Sequence, residues 1–201
     1  MLLMSNIFRT TGILIAAVII ILVMLLLVKY GLMPYLKKRA KGFNVNGELR
    51  KLDKSKYKRI KKLYFENSRH KRFTENVIVS DYGVFIVNAR FEIGSVSKNE
   101  RGKFVLTKDG VNHVLGDYEQ DNLAAFDKMK KLSNDFDGVK FYSIVAFPDS
   151  TEINVKSEIG FFGHLKDVVP YIKSVNKNPM SAEQRDAVYA ALRRENSKNQ
   201  R

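Results

Sequence analysis

The sequence predicts an α/β fold in which a mixed central sheet is flanked by helices and preceded by one transmembrane helix. Three observations lead there. Two runs with period-two alternation, NVIVS (76–80) and VFIVNAR (84–90), flank the turn DYG; apolar residues recur at three- and four-residue steps from Tyr118 onward; and nineteen uncharged residues lie near the start of the chain.

The uncharged stretch, TTGILIAAVIIILVMLLLV, runs between Arg9 and Lys29. As a helix rising ~1.5 Å per residue it spans about 28 Å, enough to cross a bilayer's hydrocarbon once. A buried soluble helix would show a polar face over such a length. A cleaved signal peptide would have a shorter apolar region and a small-x-small site, whereas the exit here reads KYGLMPYLKKRAKG. The expectation is an uncleaved anchor over 10–36, with a short extracytoplasmic N-terminus (1–9), a basic linker (37–47), an α/β domain (48–195) and a polar tail (196–201). Arg9 stands alone before the span, while Lys29, Lys37, Lys38, Arg39 and Lys41 follow it. The positive-inside rule then puts the N-terminus outside and the C-terminal domain in the cytoplasm, at the cell membrane.

The formal charge of +14 is concentrated: residues 29–72 carry 16 Lys/Arg against 3 Asp/Glu, and residues 73–201 carry 18 of each sign. A basic stretch after a membrane span suits anionic lipid headgroups, nucleic acid or a plain topological signal, because all three ask for the same residues. Its candidates are Lys37, Lys38, Arg39, Lys41, Lys58, Arg59, Lys61 and Lys62. The absence of cysteine excludes disulfides and thiolate metal sites, and His70, His113 and His164 are spaced unsuitably for zinc. No phosphate loop, nucleophile elbow or HExxH helix occurs.

After the turn-rich GFNVNG, the run ELRKLDKSKYKRIKKLYFE places Leu49, Leu52, Ile60 and Leu63 at steps that predict an amphipathic helix with a basic outer face. Tyr57, Tyr64 and Phe65 interleave with its cations, as a base-stacking surface or as its core side. The hairpin 76–90 follows, then SVSKN and KFVLTKDG as short strands extending the same meander. A helix begins at Tyr118, a centrally buried strand covers 139–147, and helices around LKDVVPYIKSV and from Ser181 close the domain. The tail RRENSKNQR reads as polar and frayed.

One strand carries the chemical question. Val84, Ile86, Asn88 and Arg90 share a face of VFIVNAR, so an apolar face ends in an amide and a guanidinium. The order NGEL, ENVIVSDYGVFIVNAR with IGSV, YEQDNLAAFDKMKKL, FYSIVAFPDSTEINV and MSAEQRDAVYAAL resembles the NERD (nuclease-related) domain over residues 46 to about 195. That family's fold is similar to the restriction-endonuclease-like PD-(D/E)xK core. The resemblance implies that Glu75 and Asn76 stand where the family has Asp-His, and Asn88 and Arg90 where it has the Glu and Lys of Glu-x-Lys. It also implies that Glu48 and Gln120 match the acidic residue and glutamine of two helices.

The hairpin positions depart from the family, so a degenerate site, a pseudoenzyme, is expected. Hydrolysis would need carboxylates to hold Mg²⁺ or Mn²⁺. Asn88 supplies no charge, and Arg90, with a pKa above ~12, keeps the positive charge without being able to act as a base. Glu92 shares Arg90's face if the strand continues and could, with Glu75, restore a metal ligand. Three functions stay open: a membrane-tethered binding or scaffold module for nucleic acid or a protein, a metal-dependent nuclease, and a structural subunit among other membrane-complex subunits.

Overall fold

The computed structural model describes residues 20–26, 43–65, 72–157, 159–177 and 179–199. The chain divides into two compact units, 1–42 and 43–201. In the first, residues 20–26 are helical and expose apolar side chains throughout. Among the described residues no helix is long and apolar enough to cross a membrane. The rest of the expected span 10–36, and with it Lys37, Lys38, Arg39 and Lys41, lies outside the described residues.

The second unit is a mixed α/β domain with two mixed sheets. It opens with α1 (Val45–Leu49), whose N-terminal Asn44 side chain accepts from the Gly47 amide at 2.9 Å. Then come β1 (Lys58–Phe65), β2 (Arg72–Ser80) and β3 (Gly83–Ala89), each antiparallel to the one before. The β2–β3 turn needs glycine: Gly83 sits at φ +138°, and a Cβ there would lie 2.4 Å from the Lys140 carbonyl oxygen. Strands β4 (Ser95–Lys98), β5 (Phe104–Lys108) and β6 (Val111–Val114) precede α2 (Tyr118–Lys130), which Asp117 caps by accepting from the Gln120 amide at 3.0 Å. A 3₁₀ turn (Asn134–Phe136) leads to β7 (Phe141–Phe147), then β8 (Glu152–Ile153), β9 (Gly160–His164), α3 (Leu165–Ser174) and α4 (Ala182–Asn199). Ser181 caps α4 by accepting from Gln184 N at 3.1 Å.

The larger sheet has the order β1-β2-β3-β7-β9, with β3, β7 and β9 parallel; the smaller has the order β6-β5-β4-β8. On one face of the larger sheet Ile60, Leu63, Val77, Val79, Val84 and Ile86 meet Phe126 and Met129 of α2 and Val188 and Leu192 of α4. On the other face Ile78, Phe85, Val87, Ile144 and Ala146 meet Leu49, Leu52 and the α3 residues Val168, Val169 and Ile172. A third cluster joins Val96, Phe104 and Leu106 of the smaller sheet to Tyr118, Val145, Phe147 and Phe162. All three cores lie within 43–201.

The long basic amphipathic helix is not formed. Leu49 ends the five-residue α1, and Ile60 and Leu63 belong to edge strand β1. Their three-residue step imitates a helix because the β1–β2 register omits the Lys61–Asn76 pair, where Asn76 adopts φ +52°. The side-chain alternation slips there, so Ile60 and Leu63 reach the same core while Lys61 and Lys62 are both exposed. The strands 95–98 and 104–108 do not extend the hairpin but build the separate smaller sheet. Nor is 193–199 frayed: α4 runs to Asn199, held where Asn196 Oδ1 accepts from the Tyr64 amide at 3.0 Å.

Candidate functional site

Alternation along β3 keeps Val84 and Ile86 in the α2-side core and carries Asn88 and then Arg90 past its edge. There they border a cleft of ≈1060 Å³ whose other wall is α2. Glu92 and Glu75 of β2 line the same cleft, so Asn88, Arg90 and Glu92, which strand spacing puts on one face, meet Glu75, which the resemblance singles out. Glu75 is exposed, and Asn88 is half-buried beside the β7 ladder, opposite Val145.

Arg90 is heavily engaged. Its backbone amide donates to the Ala146 carbonyl at 2.8 Å, and its guanidinium carbon stands 3.9 Å from the centre of the Tyr118 ring. Arg90 Nη2 donates to Glu92 Oε1 at 2.9 Å and to the Tyr118 hydroxyl at 3.0 Å, and that hydroxyl donates to the same Glu92 oxygen at 3.1 Å. The three side chains form a closed ring of hydrogen bonds. Thr151 Oγ1 fixes the backbone beneath it by donating to the Glu92 carbonyl at 2.6 Å. Burial alone would lower the Arg90 pKa, but the bond to Glu92 and the Tyr118 contact outweigh it and raise it above the ordinary guanidinium value. Burial, reinforced by Glu92 and opposed by Arg90, raises the Tyr118 pKa. Arg90 Nε and Glu92 Oε2 are buried without a hydrogen-bond partner.

The α2 wall presents Asp121, Asn122, Ala124, Ala125 and Lys128. Asn122 is buried and donates to Ser143 Oγ of β7 at 2.8 Å, which locks the helix to the sheet at the cleft floor. Lys128 places its ammonium 5.5 Å from the Phe65 ring centre. These residues, with Tyr118, were not singled out from sequence. The signal was present in the spacing of Asp121, Ala125 and Lys128, a polar and small-residue stripe at four- and three-residue steps.

The positions assigned by resemblance alone separate. Glu48 pairs with Lys51 Nζ at 2.6 Å on α1, and Gln120 is exposed; neither lines the cleft. Asn76 faces away, its buried Oδ1 accepting from Arg59, whose guanidinium also donates to Asn46 Oδ1 at 2.6 Å. Burial, with Arg50 nearby, lowers the Arg59 pKa. Lys58 pairs with Asp186 at 2.7 Å, and Lys61 and Lys62 of β1 are exposed. Phe65 is buried on the α2 side and Tyr57 packs on the α3 side, so both rings serve the core.

The donor set does not fit a hydrolytic magnesium centre. A magnesium ion takes anionic oxygens at short range in octahedral array. Glu92 Oε1 is already bonded to a guanidinium and a phenol, Asn88 is neutral, and among the described residues no three Asp, Glu or His side chains converge. The cleft can instead bind a polar partner: it offers carboxylates (Glu75, Asp121), an amide (Asn88) and an ammonium (Lys128) over a floor fixed by the Asn122–Ser143 bond. Compared with known proteins, the chain matches no family model, no curated protein and no solved structure.

Proposed function

We propose that this chain is a single-pass, membrane-anchored protein with a NERD-like, restriction-endonuclease-like domain on the cytoplasmic side, and that its cleft recognises a protein partner without cutting nucleic acid. One observation carries the non-hydrolytic part. The Arg90–Glu92–Tyr118 ring engages, within the protein, Arg90 Nη2 and one Glu92 oxygen, the charge and carboxylate that phosphodiester cleavage would need to turn toward a substrate. Arg90 cannot act as a general base either, because a guanidinium held above its ordinary pKa gives up no proton.

The sign of the cleft favours protein over nucleic acid. Glu75, Glu92 and Asp121 outnumber Arg90 and Lys128 around it, so a phosphate backbone would meet more repulsion than attraction. A polar protein segment suffers no such penalty, and the mixed donors and acceptors suit its backbone.

The test uses the intact protein in detergent. Incubation with single- and double-stranded DNA and RNA across a panel of divalent metals is expected to give no cleavage. Purification from native membranes is expected to retain a partner that Asp121→Lys and Ala124→Arg each release while α2 remains folded by circular dichroism. Metal-dependent cleavage abolished by Glu75→Ala would overturn the proposal in favour of a nuclease. A partner retained equally by both cleft variants would move the function away from the cleft.

A further inference from the structure

Strand β1 and α1 show where the domain's positive charge goes. Of the basic residues between 50 and 62, Lys58 and Arg59 are engaged by Asp186, Asn46 and Asn76, Lys51 forms a surface pair with Glu48, and Lys61 and Lys62 belong to edge strand β1. Arg50, Lys54 and Lys56 are instead exposed, as is Lys173 in the last turn of α3. Among the described residues none of these four enters an ion pair.

They share one surface although Lys173 is distant in sequence. Helix α1 packs on α3 through Leu49, Leu52, Val168, Val169 and Ile172. The Asp53 carboxyl feels both Lys56 and Lys173, and Arg50 adds repulsion at Arg59. Asp53 itself is engaged locally, accepting from the Ser55 amide at 2.9 Å and the Ser55 hydroxyl at 2.8 Å. The result is a cationic patch on the α1–α3 side, away from the α2 cleft.

We infer that Arg50, Lys54, Lys56 and Lys173 form a docking surface for an anionic lipid bilayer, which holds the domain against the membrane face. This rests on the anchored reading above only for its biological setting; the surface chemistry stands by itself. A fluid sheet of anionic headgroups is met well by exposed, unpaired, flexible cations, each strengthening attachment about fivefold near the surface. Single-stranded nucleic acid is met less well, because it draws affinity from rings set among the cations. The ring nearest in sequence, Tyr57, is half-buried and packs into the α3-side core. The patch also begins only seven residues after Phe43, where the compact unit starts, so a tethered domain would present it at high effective concentration.

The experiment uses residues 43–201, which contain all three hydrophobic cores and lack the apolar segment, so that the patch is tested apart from the anchor. Cosedimentation with vesicles of phosphatidylcholine alone, and with roughly 30 % phosphatidylserine, is expected to show at least about tenfold tighter binding to the anionic set, falling as salt rises. The triple variant Lys54→Glu, Lys56→Glu, Lys173→Glu should lose that difference. The control Lys103→Glu, Lys108→Glu, Lys156→Glu, on exposed positions elsewhere, should retain it within about twofold. Circular dichroism confirms that each variant is folded.

Equal binding to neutral vesicles, equal loss in both triple variants, or a patch-dependent affinity for DNA or RNA exceeding that for the vesicles would each overturn the proposal. Separately, extraction of the intact protein from membranes by alkaline carbonate would refute the anchor and leave the patch result standing.

Discussion

The two sheets of this domain are built to different standards of burial. The larger one is covered on both faces, and its central strands run without a polar side chain from Val84 to Val87 and from Ile144 to Phe147. The smaller one commits one face to Phe147 and Phe162 through Val96, Phe104 and Leu106, and ends in β6, all four of whose residues are exposed. A strand buried on both faces must be apolar throughout, whereas a strand covered on one face can alternate, and the exposed edge strand β6 is held by its backbone ladder and the Thr107 Oγ1–Asn112 Oδ1 bond at 2.7 Å. Stability therefore concentrates in the larger sheet, and the smaller is its dependent.

Substitutions can break that contrast. Phe85→Ala, in a fully buried position stacked at 4.8 Å on Tyr142, is expected to cost about 3–5 kcal/mol in urea unfolding. Gly160→Ala should be nearly as damaging, because its Cβ would lie 2.0 Å from the Ser143 carbonyl oxygen, in the β7–β9 ladder. Loss of about 2 kcal/mol or more there, with the m-value kept, would confirm that the larger sheet unfolds as one unit. Asn122→Leu leaves the Ser143 hydroxyl without its donor and should cost about 1–3 kcal/mol while loosening the cleft floor, seen as faster amide exchange in α2.

A milder test uses pH. Burial raises the pKa of Tyr171 above 10.0, with a smaller push from Tyr142, so the folded state holds that proton more tightly than the unfolded chain. The contribution is intact below pH 10 and is lost as pH rises above it, so melting temperature should decline on the alkaline side and less steeply in Tyr171→Phe. The smallest effect is expected in the smaller sheet, where Val111→Thr or Val114→Thr should stay within about 0.5 kcal/mol. A loss comparable to that of Phe85→Ala would mean that β6 is covered in the assembled protein.

What was legible in sequence follows the same division. The β2–β3 hairpin and β7 declare themselves because burial dictates each side chain, and the strand period then delivers Asn88, Arg90 and Glu92 to one cleft, where Glu75 of β2 joins them. Strand β1 reads as a helix because the alternation of faces breaks at the unpaired Lys61–Asn76 position, within an otherwise unchanged register, and leaves a three-residue step between Ile60 and Leu63. Strands of four or five residues such as β4 and β5 fix their own faces but not their sheet, since pairing with β8 depends on residues 152–153, far along the chain. Tyr118 was hidden for a related reason: its bonds to Arg90 and Glu92 bridge 28 and 26 positions, and nothing local announces them.

Strand β7 also sets an order of events. Its parallel pairing with β3 requires the chain to travel through β4, β5, β6 and α2 before returning, so the excursion must close before the larger sheet can grow past its third strand. The meander β1-β2-β3 needs only short closures and can assemble as soon as residue 89 is available, while β4 waits for β8 until β7 is seated. During synthesis the hairpin edge of β3 is thus exposed, apolar and unpaired for the time it takes to make some fifty further residues, which is the interval in which a chaperone or a second nascent chain would compete for it.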